Sequence, residues 1–448
     1  MYSKLPILHY IFPNWHRRFR IKFVLQAVCI PIYIMIIQKN NNNIPEYLDE
    51  QFFKEVLVTQ TGSEDVKIFS LDFSMGSSAG ENYLSFIYRV QVVYTLKGSG
   101  NIETNFIVKS IPLDGAREAF VELDIFNSEK VMYFDILPRI ESCLDNMKIA
   151  PKCYYVTSKP IATIVFEDMK VPGYSIADRV KGLDLDHSKI ILTKLAQYHA
   201  GGMLLLEKEP SLTASAQLKR GIFSSVSLTP TNMGKPLYMN VSRLVGHASK
   251  WYGYEKIVDK LQDCYKNETL VDKILDTIRP SPDDILGICH GDCWVNNFLF
   301  KYKEDLPIDA VFVDFQGSMR GSIGLDINYF FASSLQIDVL HNNRDQLIEE
   351  AYYPAFRAAL ERGFYKNIPT IQNVKDEIKR KAMFGFLSSI LVLPAIAMNK
   401  EDSADNSVET FKDEEKAKKI GDLSCSSERF LESQKILLKE YDSYGFFD

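Results

Sequence analysis

Apolar and polar positions alternate in the first third of the chain and follow helical spacing in most of the rest. The alternating runs are rich in Tyr, Val, Ile and Phe, which favour strands, and Gly- and Ser-containing turns at 76–80 and 97–101 separate them. The pattern predicts strands at 67–73, 83–96, Thr104–Ser110 and two within 153–167. Apolar spacing predicts helices at 46–57, 115–137 ending at Leu137–Pro138, 187–206, 254–278, 345–363 and 373–398.

The order of these elements predicts the architecture. A sheet built from hairpins comes first and a largely helical part follows, which indicates an α+β fold of two lobes with a cleft between them. The helical part has one exception, because 285–301 and 308–315 have the pattern of strands and loops.

That exception carries the candidate chemistry, in the segment His290-Gly291-Asp292-Cys293-Trp294-Val295-Asn296-Asn297. An Asp followed five residues later by an Asn on a tight loop suits phosphoryl transfer. The carboxylate of Asp292 can accept a hydroxyl proton, and the amide oxygen of Asn297 can bind Mg²⁺, which prefers oxygen ligands. The alternatives are ordinary loop roles, as a turn residue and a capping amide. We expect His290 mainly to hold the loop by hydrogen bonds.

A second acidic residue, Asp314, ends the apolar run Ala310-Val311-Phe312-Val313. This strand is expected to pair with 298–302 through a turn at Glu304–Pro307, which would bring Asp314 beside Asn297. Two oxygen ligands at adjacent strand ends would make a Mg²⁺ site that phosphate oxygens and water complete. An Asx turn at the strand end is the alternative for Asp314.

The segments HGD-x-W-x-x-N and VDFQ resemble signatures of the ecdysteroid kinase-like family. That family is similar to choline kinases and aminoglycoside phosphotransferases and shares the protein-kinase-like fold. The resemblance covers roughly 45–440. It implies an N-terminal extension at 1–44 outside the kinase fold, an antiparallel-sheet N-lobe at 45–168 and a mainly helical C-lobe at 169–448.

The resemblance also implies roles for the polar residues. Asp292 would be the catalytic base, and Asn297 and Asp314 the Mg²⁺ ligands. Lys109 matches the third-strand lysine that contacts the α- and β-phosphates of ATP. Glu129 matches the helix glutamate that pairs with this lysine, with Glu122 as the competing candidate.

The nucleotide would contact two further segments in this resemblance. Gly76, Ser77, Ser78 and Gly80 match the loop that covers the phosphates, where glycines let backbone N–H groups approach. The loop departs from the protein-kinase GxGxxG pattern, and an ordinary hairpin turn is the alternative. The backbone around Glu167 and Met169 would bond the adenine edge as the lobe hinge.

Two more matching segments are read as structural. We expect His199 to be a satisfied histidine of a core helix. Asp326 is expected to brace the catalytic loop through backbone hydrogen bonds. The Met and aromatic residues at helical spacing in 381–398 are interpreted as core rather than substrate pocket.

Composition limits the function classes. The chain has 448 residues with 46% hydrophobic and 25% charged residues, which is typical of a globular protein with a sizeable core. The net charge of −6 argues against a general nucleic-acid binder. The seven cysteines form no CxxC pair, so reduced thiols are a better interpretation than a zinc site.

The N-terminal region contains an apolar run at 23–37 behind a basic stretch at 16–22. The run is shorter than the roughly 20 residues of a spanning helix and contains Gln26 and Pro31. A membrane anchor is therefore the minor alternative, and we expect a cytoplasmic protein with access to ATP.

The leading hypothesis is an ATP- and Mg²⁺-dependent kinase that phosphorylates the hydroxyl of a small molecule, an ecdysteroid or another hydrophobic or xenobiotic alcohol. One alternative is a choline or aminoglycoside kinase, whose cationic acceptor Trp251, Tyr252 and Tyr254 could surround. The other is a catalytically silent, ligand-binding pseudokinase. A protein kinase is disfavoured because Phe-Gln follows Asp314 and no APE motif follows.

Overall fold

The structure is a computed structural model that describes residues 44–76, 86–111, 125–230, 232–399 and 414–448. The predictions for Ser77, Ser78, Gly80, Glu122 and 23–37 lie outside these residues. Within them, no helix is long and apolar enough to cross a membrane.

The N-terminal part is a five-stranded antiparallel sheet with the strand order β1-β2-β3-β5-β4. Its strands are β1 (Val66–Met75), β2 (Phe86–Leu96), β3 (Ile102–Ser110), β4 (Cys153–Thr157) and β5 (Thr163–Glu167). The inward residues of β2 alternate with half-exposed ones, as the sequence pattern predicts. Helix α1 (Glu50–Thr61) covers β1 and β4 with an apolar face that includes Phe53.

A broken helix follows β3 along the chain. It consists of α2 (Ile125–Val131), a π-helical turn (Met132–Ile136) and α3 (Leu137–Cys143). The prediction that a helix ends at Leu137–Pro138 is therefore wrong. Pro138 stands in the first turn of α3, where its missing N–H costs no hydrogen bond, and the preceding π turn lets the chain continue.

The C-terminal part is mainly helical. The longest helix of the described residues is α4 (Leu185–Lys208), which is buried along most of its length and packs against the strand Leu286–Cys289 and the helix Tyr353–Arg362. The helices are α4, α5 (Gly234–Ala248), α6 (Glu255–Lys266), α7 (Leu270–Ile278), α8 (Ile323–Ser334), α9 (Ile337–Asn342), α10 (Arg344–Gln346), α11 (Tyr353–Arg362), α12 (Ile371–Arg380), α13 (Ala382–Leu391), α14 (Leu393–Ile396), α15 (Glu414–Ser424) and α16 (Glu428–Ser443). A π-helical turn, Leu347–Tyr352, joins α10 to α11.

Two predicted helices are divided. The stretch 254–278 breaks between α6 and α7, where Glu268 has a positive φ of 54°. The stretch 373–398 contains three helices, with interruptions at Lys381 and Val392. Continuous apolar spacing did not reveal these breaks, because each short helix keeps its apolar face toward the same core.

Two small sheets interrupt the helices at the site. One pairs β7 (Leu286–Cys289) with β10 (Met319–Ser322), and the other has the order β6-β8-β9, with β6 (Tyr174–Ile176), β8 (Phe298–Lys303) and β9 (Leu306–Phe312). The β8–β9 hairpin turns at Glu304 and Asp305, both with positive φ. The predicted hairpin is confirmed with a tighter turn, since Pro307 already pairs with Tyr302.

The α+β architecture, with an antiparallel sheet first and helices after it, is confirmed. The lobe boundary at residue 168 remains a prediction.

Candidate active site

A cavity of about 490 Å³ lies between the five-stranded sheet and the helical part. Eight of the predicted site residues line it, among them five polar ones, Lys109, Glu129, Asp292, Asn297 and Asp314. These five come from β3, α2, the loop after β7 and the two ends of the β8–β9 hairpin. The structure therefore brings together residues that are up to 205 positions apart.

Lys109 is held at the centre of this group. It faces the cavity from β3, where it pairs with Ile87 on one side and Ile164 on the other. Its Nζ donates to Glu129 Oε1 at 2.7 Å and to Asp314 Oδ1 at 2.8 Å. The structure thus pairs the lysine with Glu129, as the sequence predicts.

The charges in this trio perturb one another. Burial alone would lower the pKa of Lys109, but the negative charges of Asp314 and Glu129 raise it above its ordinary value. Burial raises the pKa of Glu129 to about 7, against the opposing effect of the Lys109 charge. One cation shared by two carboxylates leaves a surplus of negative charge, which suits the binding of a further cation.

The backbone of the loop at 290–297 is held by Asp326, which lies in the first turn of α8. Its carboxylate accepts the N–H groups of His290 at 2.6 Å and Gly291 at 2.9 Å, and His199 Nε2 lies 3.0 Å from it. Burial tends to raise the pKa of Asp326, but these donors and His199 hold it below its ordinary value. The contacts are those expected of Asp326 as a brace, and His199 is satisfied because its Nδ1 lies 2.8 Å from the Tyr352 hydroxyl.

Gly291 is required by the geometry of this loop. Its φ is +79°, and a Cβ at this position would lie 1.9 Å from the carbonyl oxygen of Gly317. The loop can therefore pack directly on the turn that follows Asp314 only with glycine here.

His290 joins the loop to the end of β9. Its Nε2 lies 3.0 Å from the carbonyl oxygen of Val313, and its Nδ1 accepts the N–H of Asp292 at 3.3 Å. Nε2 therefore carries the proton, and burial lowers the pKa of His290 so that the ring stays neutral. These contacts match the predicted role of His290 in holding the loop.

Both carboxylate oxygens of Asp292 accept hydrogen bonds. Tyr329 donates its hydroxyl to Oδ1 at 2.7 Å, and Asn297 donates Nδ2 to Oδ2 at 3.0 Å. Asn297 Nδ2 also donates to the backbone carbonyl of Asp292 at 2.8 Å, so the amide is oriented with its Oδ1 away from these contacts. Burial, and then the nearby charge of Asp314, raise the pKa of Asp292 to about 7 although these donors oppose the shift.

Asp314 lies beside Asn297 because the hairpin continues past β9. The N–H of Val313 donates to the carbonyl of Asn297 at 3.0 Å. Asp314 itself adopts a left-handed conformation with φ +66° and ψ +60°, and its N–H donates to the Tyr133 hydroxyl at 3.2 Å. Such a conformation is costly for a residue other than glycine, and it occurs at functional sites where the surroundings enforce it.

The remaining predicted positions line other parts of the cavity. Gly76 donates its N–H to Ile87 O at 2.8 Å, and a Cβ on Gly76 would lie 2.4 Å from Ile87 Cγ2. Glu167 and Met169 lie on the cavity wall where β5 ends. The Met169 carbonyl accepts the N–H of Tyr174 at 2.9 Å, so this acceptor is already engaged.

An apolar wall of the cavity was not predicted. It is formed by residues before and within α5 and by residues at and after the end of α13, namely Ile222, Phe223, Met233, Pro236, Leu391, Val392, Ala395 and Ile396. The Met and aromatic residues of 381–398 are buried and do not line the cavity, as expected, whereas four other apolar residues of this stretch do. Apolar spacing reports burial and does not distinguish a packed neighbour from a cavity.

Two other features differ from the sequence analysis. Tyr329 was missed, and the available signal was its position three residues after Asp326, on the same helix face. Trp251, Tyr252 and Tyr254 do not line the cavity. Tyr252 is 98% exposed, and the Tyr254 hydroxyl donates to the carbonyl of Lys435, so these residues form no cage at the site.

Comparisons with known proteins locate the chain in a family. The profile of the ecdysteroid kinase-like family matches residues 79–364. A search of curated protein sequences found no match.

Three phosphotransferases are among the solved structures that match this chain. Macrolide 2′-phosphotransferase type I is 14% identical, with a TM-score of 0.36 and coverage of 82% of this chain and 98% of that one. The GDP complex of wild-type aminoglycoside 2′-phosphotransferase-IIIa is 14% identical, with a TM-score of 0.32 and coverage of 83% and 99%. A thermostable mutant of aminoglycoside phosphotransferase APH(4)-Ia, with ADP and hygromycin B, is 10% identical, with a TM-score of 0.30 and coverage of 84% and 98%.

The family profile spans more than half of the chain and contains every polar residue described above from Lys109 to Tyr329. The chain therefore belongs to the ecdysteroid kinase-like family.

Proposed function

We propose that this protein is an ATP- and Mg²⁺-dependent kinase that transfers the γ-phosphoryl group to a hydroxyl of a small, largely apolar molecule. The observation that carries the proposal is the convergence of Lys109, Glu129, Asp292, Asn297 and Asp314 on one cavity. Family membership supports small-molecule phosphotransfer in general. We further propose that residues 45–168 and 169–448 form the two lobes of the kinase and that the protein is cytoplasmic.

The donor set fits a magnesium–nucleotide complex. Asn297 Oδ1 and the carboxylate of Asp314 are hard oxygen donors, and Asp314 Oδ2 makes none of the hydrogen bonds to Lys109 or Tyr133 described above. Among the described residues, no cluster of three His, Cys, Asp or Glu side chains could hold a metal ion alone. This suits Mg²⁺, which is usually held by one or two carboxylates together with substrate phosphates. When bound, the ion would neutralise charge on the phosphates.

Lys109 and Asp292 would have different roles in the reaction. Lys109 would pair with the α- and β-phosphates of ATP and so position the γ-phosphoryl group for attack by the acceptor. Asp292 would accept the proton of the acceptor hydroxyl. The acceptor oxygen then forms a bond to the γ-phosphorus, the bond from that phosphorus to the bridging oxygen breaks, and ADP leaves.

The cavity wall favours an uncharged acceptor. The side that begins at Tyr329 and Phe223 is apolar, and the acidic cavity residues of the described chain are Glu129, Glu167, Asp168, Asp292 and Asp314. Four of these form ion pairs with Lys109, Lys148 or Arg89, and none of the five lies among the apolar residues of the wall in the part of the chain that the structure describes. This supports a hydrophobic alcohol, such as an ecdysteroid, over choline or an aminoglycoside.

A panel of steroid and other apolar alcohols tests the proposal, with ADP release and mass spectrometry of the products as the readouts. The wild type should phosphorylate at least one alcohol, and Asp292→Ala should reduce the rate by at least about 10²-fold. The exposed Asp338→Ala is the matched control and should retain full activity. If magnesium–ATP binds but neither the panel nor a metabolite extract yields a phosphorylated product, the pseudokinase alternative is favoured.

A further inference from the structure

Gln316 is a buried polar residue of the cavity that the proposed chemistry does not use. It lies two residues after Asp314, in the short 3₁₀ turn Phe315–Gly317. It is only 5% exposed, and it lines the cavity. Its neighbour Phe315 faces the core, where its ring centroid lies 4.5 Å from that of His290.

The amide of Gln316 has no hydrogen-bond partner among the residues that the structure describes. Among the hydrogen bonds of the described residues, none involves its side chain, whereas the nearby amide of Asn297 makes two. A buried primary amide can make up to four hydrogen bonds and is normally satisfied. Since Gln316 is nearly buried and borders the cavity, the cavity is where its partner would come from.

Its position points to the acceptor rather than to the nucleotide. The next residue, Gly317, abuts the apolar wall, because a Cβ on Gly317 would lie 3.2 Å from Ile222 Cδ1. On the other side stands Asp314, which is bound to Lys109. Gln316 therefore lies at the boundary between the charged end of the cavity and its apolar end.

We propose that Gln316 recognises a second oxygen group of the acceptor, a hydroxyl or a carbonyl, and so sets which hydroxyl faces Asp292. This inference rests on the proposed function and narrows its substrate class to apolar alcohols that carry more than one oxygen group. An amide both donates and accepts, so it fits either group. At the apolar end of the cavity, one such contact discriminates strongly between acceptors, because an analogue without the oxygen leaves the amide unpaired.

The test combines a change in the protein with a change in the acceptor. Ecdysone and its 2-deoxy, 22-deoxy and 25-deoxy analogues are compared with the wild type and with Gln316→Leu, which keeps the size of the side chain and removes its amide. We expect Gln316→Leu to lower kcat/KM for ecdysone by roughly 10-fold. For one deoxy analogue the wild type and the variant should agree within about twofold, as expected when both changes remove the same hydrogen bond. The KM for ATP should stay unchanged.

Two controls separate recognition from stability. Gln336→Leu makes the same chemical change at a residue that donates to the carbonyl of Gly182 outside this cavity. The ratio of its kcat/KM to that of the wild type should be the same for all four steroids. Should Gln316→Leu fail to fold, Gln316→Met replaces it. The inference is overturned if Gln316→Leu affects all four steroids equally, or if its main effect is a higher KM for ATP, which would assign the amide to the phosphate side.

The contact of Gln316 with the acceptor can also be tested by binding if the protein does not phosphorylate steroids. If the wild type phosphorylates none of the steroids, the same comparison is made by equilibrium dialysis of the radiolabelled steroids in the presence of a non-hydrolysable ATP analogue. A Kd that rises roughly 10-fold in Gln316→Leu for ecdysone but not for one deoxy analogue would support the contact without catalysis. Absence of binding to the wild type, or an equal change for every steroid, would overturn it.

Discussion

Asp292 is the residue whose protonation decides whether the site can act. As a base it must be ionised, and burial together with the Asp314 charge raises its pKa to about 7. The Tyr329 hydroxyl stays protonated, since burial raises its own pKa well above 10, and it therefore always donates to Asp292. The contact favours the ionised base and fixes its orientation.

Activity should therefore rise with pH through a midpoint near 7 in the wild type. In Tyr329→Phe the lost donor raises the pKa of Asp292, so the rising limb should move to higher pH by roughly 0.5 to 1 unit. The measurement is the pH dependence of kcat under saturating substrates. Tyr254→Phe makes the same change at a buried tyrosine that donates to Lys435 O at 2.7 Å, and its profile should follow the wild type. A profile of Tyr329→Phe that coincides with the wild type would show that the hydroxyl does not tune the base.

Lys109 illustrates how a site residue also affects stability. Its side chain is 9% exposed and that of Glu129 is 2% exposed, so the pair is desolvated. Lys109→Met should abolish transfer and lower the free energy of unfolding by about 3 kcal/mol, because two carboxylates are left close together without a cation. The double variant Lys109→Met/Glu129→Gln should regain part of this loss in denaturant titrations while remaining inactive. Equal stability of the single and double variants would contradict this account of the trio.

At the scale of elements, the site is built from a loop and a turn in direct backbone contact. Gly291 of the loop lies against Gly317 of the turn, and Asp326 of α8 holds the loop from the opposite side. The hairpin β8–β9 joins the two halves, since the loop leads into β8 and the turn follows β9. A disturbance at this contact therefore displaces Asp292 and Asp314 together.

Gly291→Ala tests this contact. The added methyl group would meet the Gly317 carbonyl at 1.9 Å, so the loop or the turn must move. We expect a loss of roughly 3 kcal/mol or more in stability, together with a large loss of activity. Gly98→Ala is the matched control, because Gly98 has a φ of +80° and no atom within 4 Å of an added Cβ. Its cost should be only the conformational one, about 1 kcal/mol, with activity unchanged. Thermal unfolding of both variants separates the two contributions, and equal losses would argue against the steric contact.

The elements also show how far the sequence could lead. Alternation predicted β2 and β3 within a few residues, and the pairing of β8 with β9 followed from a turn between two apolar runs. The π turn before Pro138 and the break at Glu268 could not be predicted, because both are local backbone adjustments within unbroken apolar spacing. The proximity of Asp314 and Asn297 could be predicted because a hairpin joins them. Tyr329 reaches Asp292 through tertiary packing of α8, for which the spacing to Asp326 was only a weak signal.

At the scale of the whole molecule, the two faces of the sheet belong to different cores. Phe53, Phe106 and Val165 lie in the core between the sheet and α1, whereas Ile164 and Phe166 of β5 belong to the much larger core that continues into the helical part. A direct contact between the two parts at the cavity is the ion pair of Lys109 with Asp314, at 2.8 Å. A ligand that binds both parts at once should therefore stabilise the molecule as a unit.

Magnesium and a non-hydrolysable ATP analogue should raise the Tm of the wild type. At 100 times the Kd, the bound state is favoured by about 2.7 kcal/mol, which corresponds to roughly 3 °C for a chain of this length. Asp314→Ala should lose most of this shift, since it removes an oxygen ligand and the second partner of Lys109, and excess EDTA should reduce it in the wild type. The exposed Asp338→Ala controls for a change of one negative charge and should retain the full shift. A shift that persists in Asp314→Ala and is insensitive to EDTA would mean that the nucleotide binds without the proposed cation. The five polar residues would then have to be interpreted as an ion-pair network that holds the two parts of the molecule together.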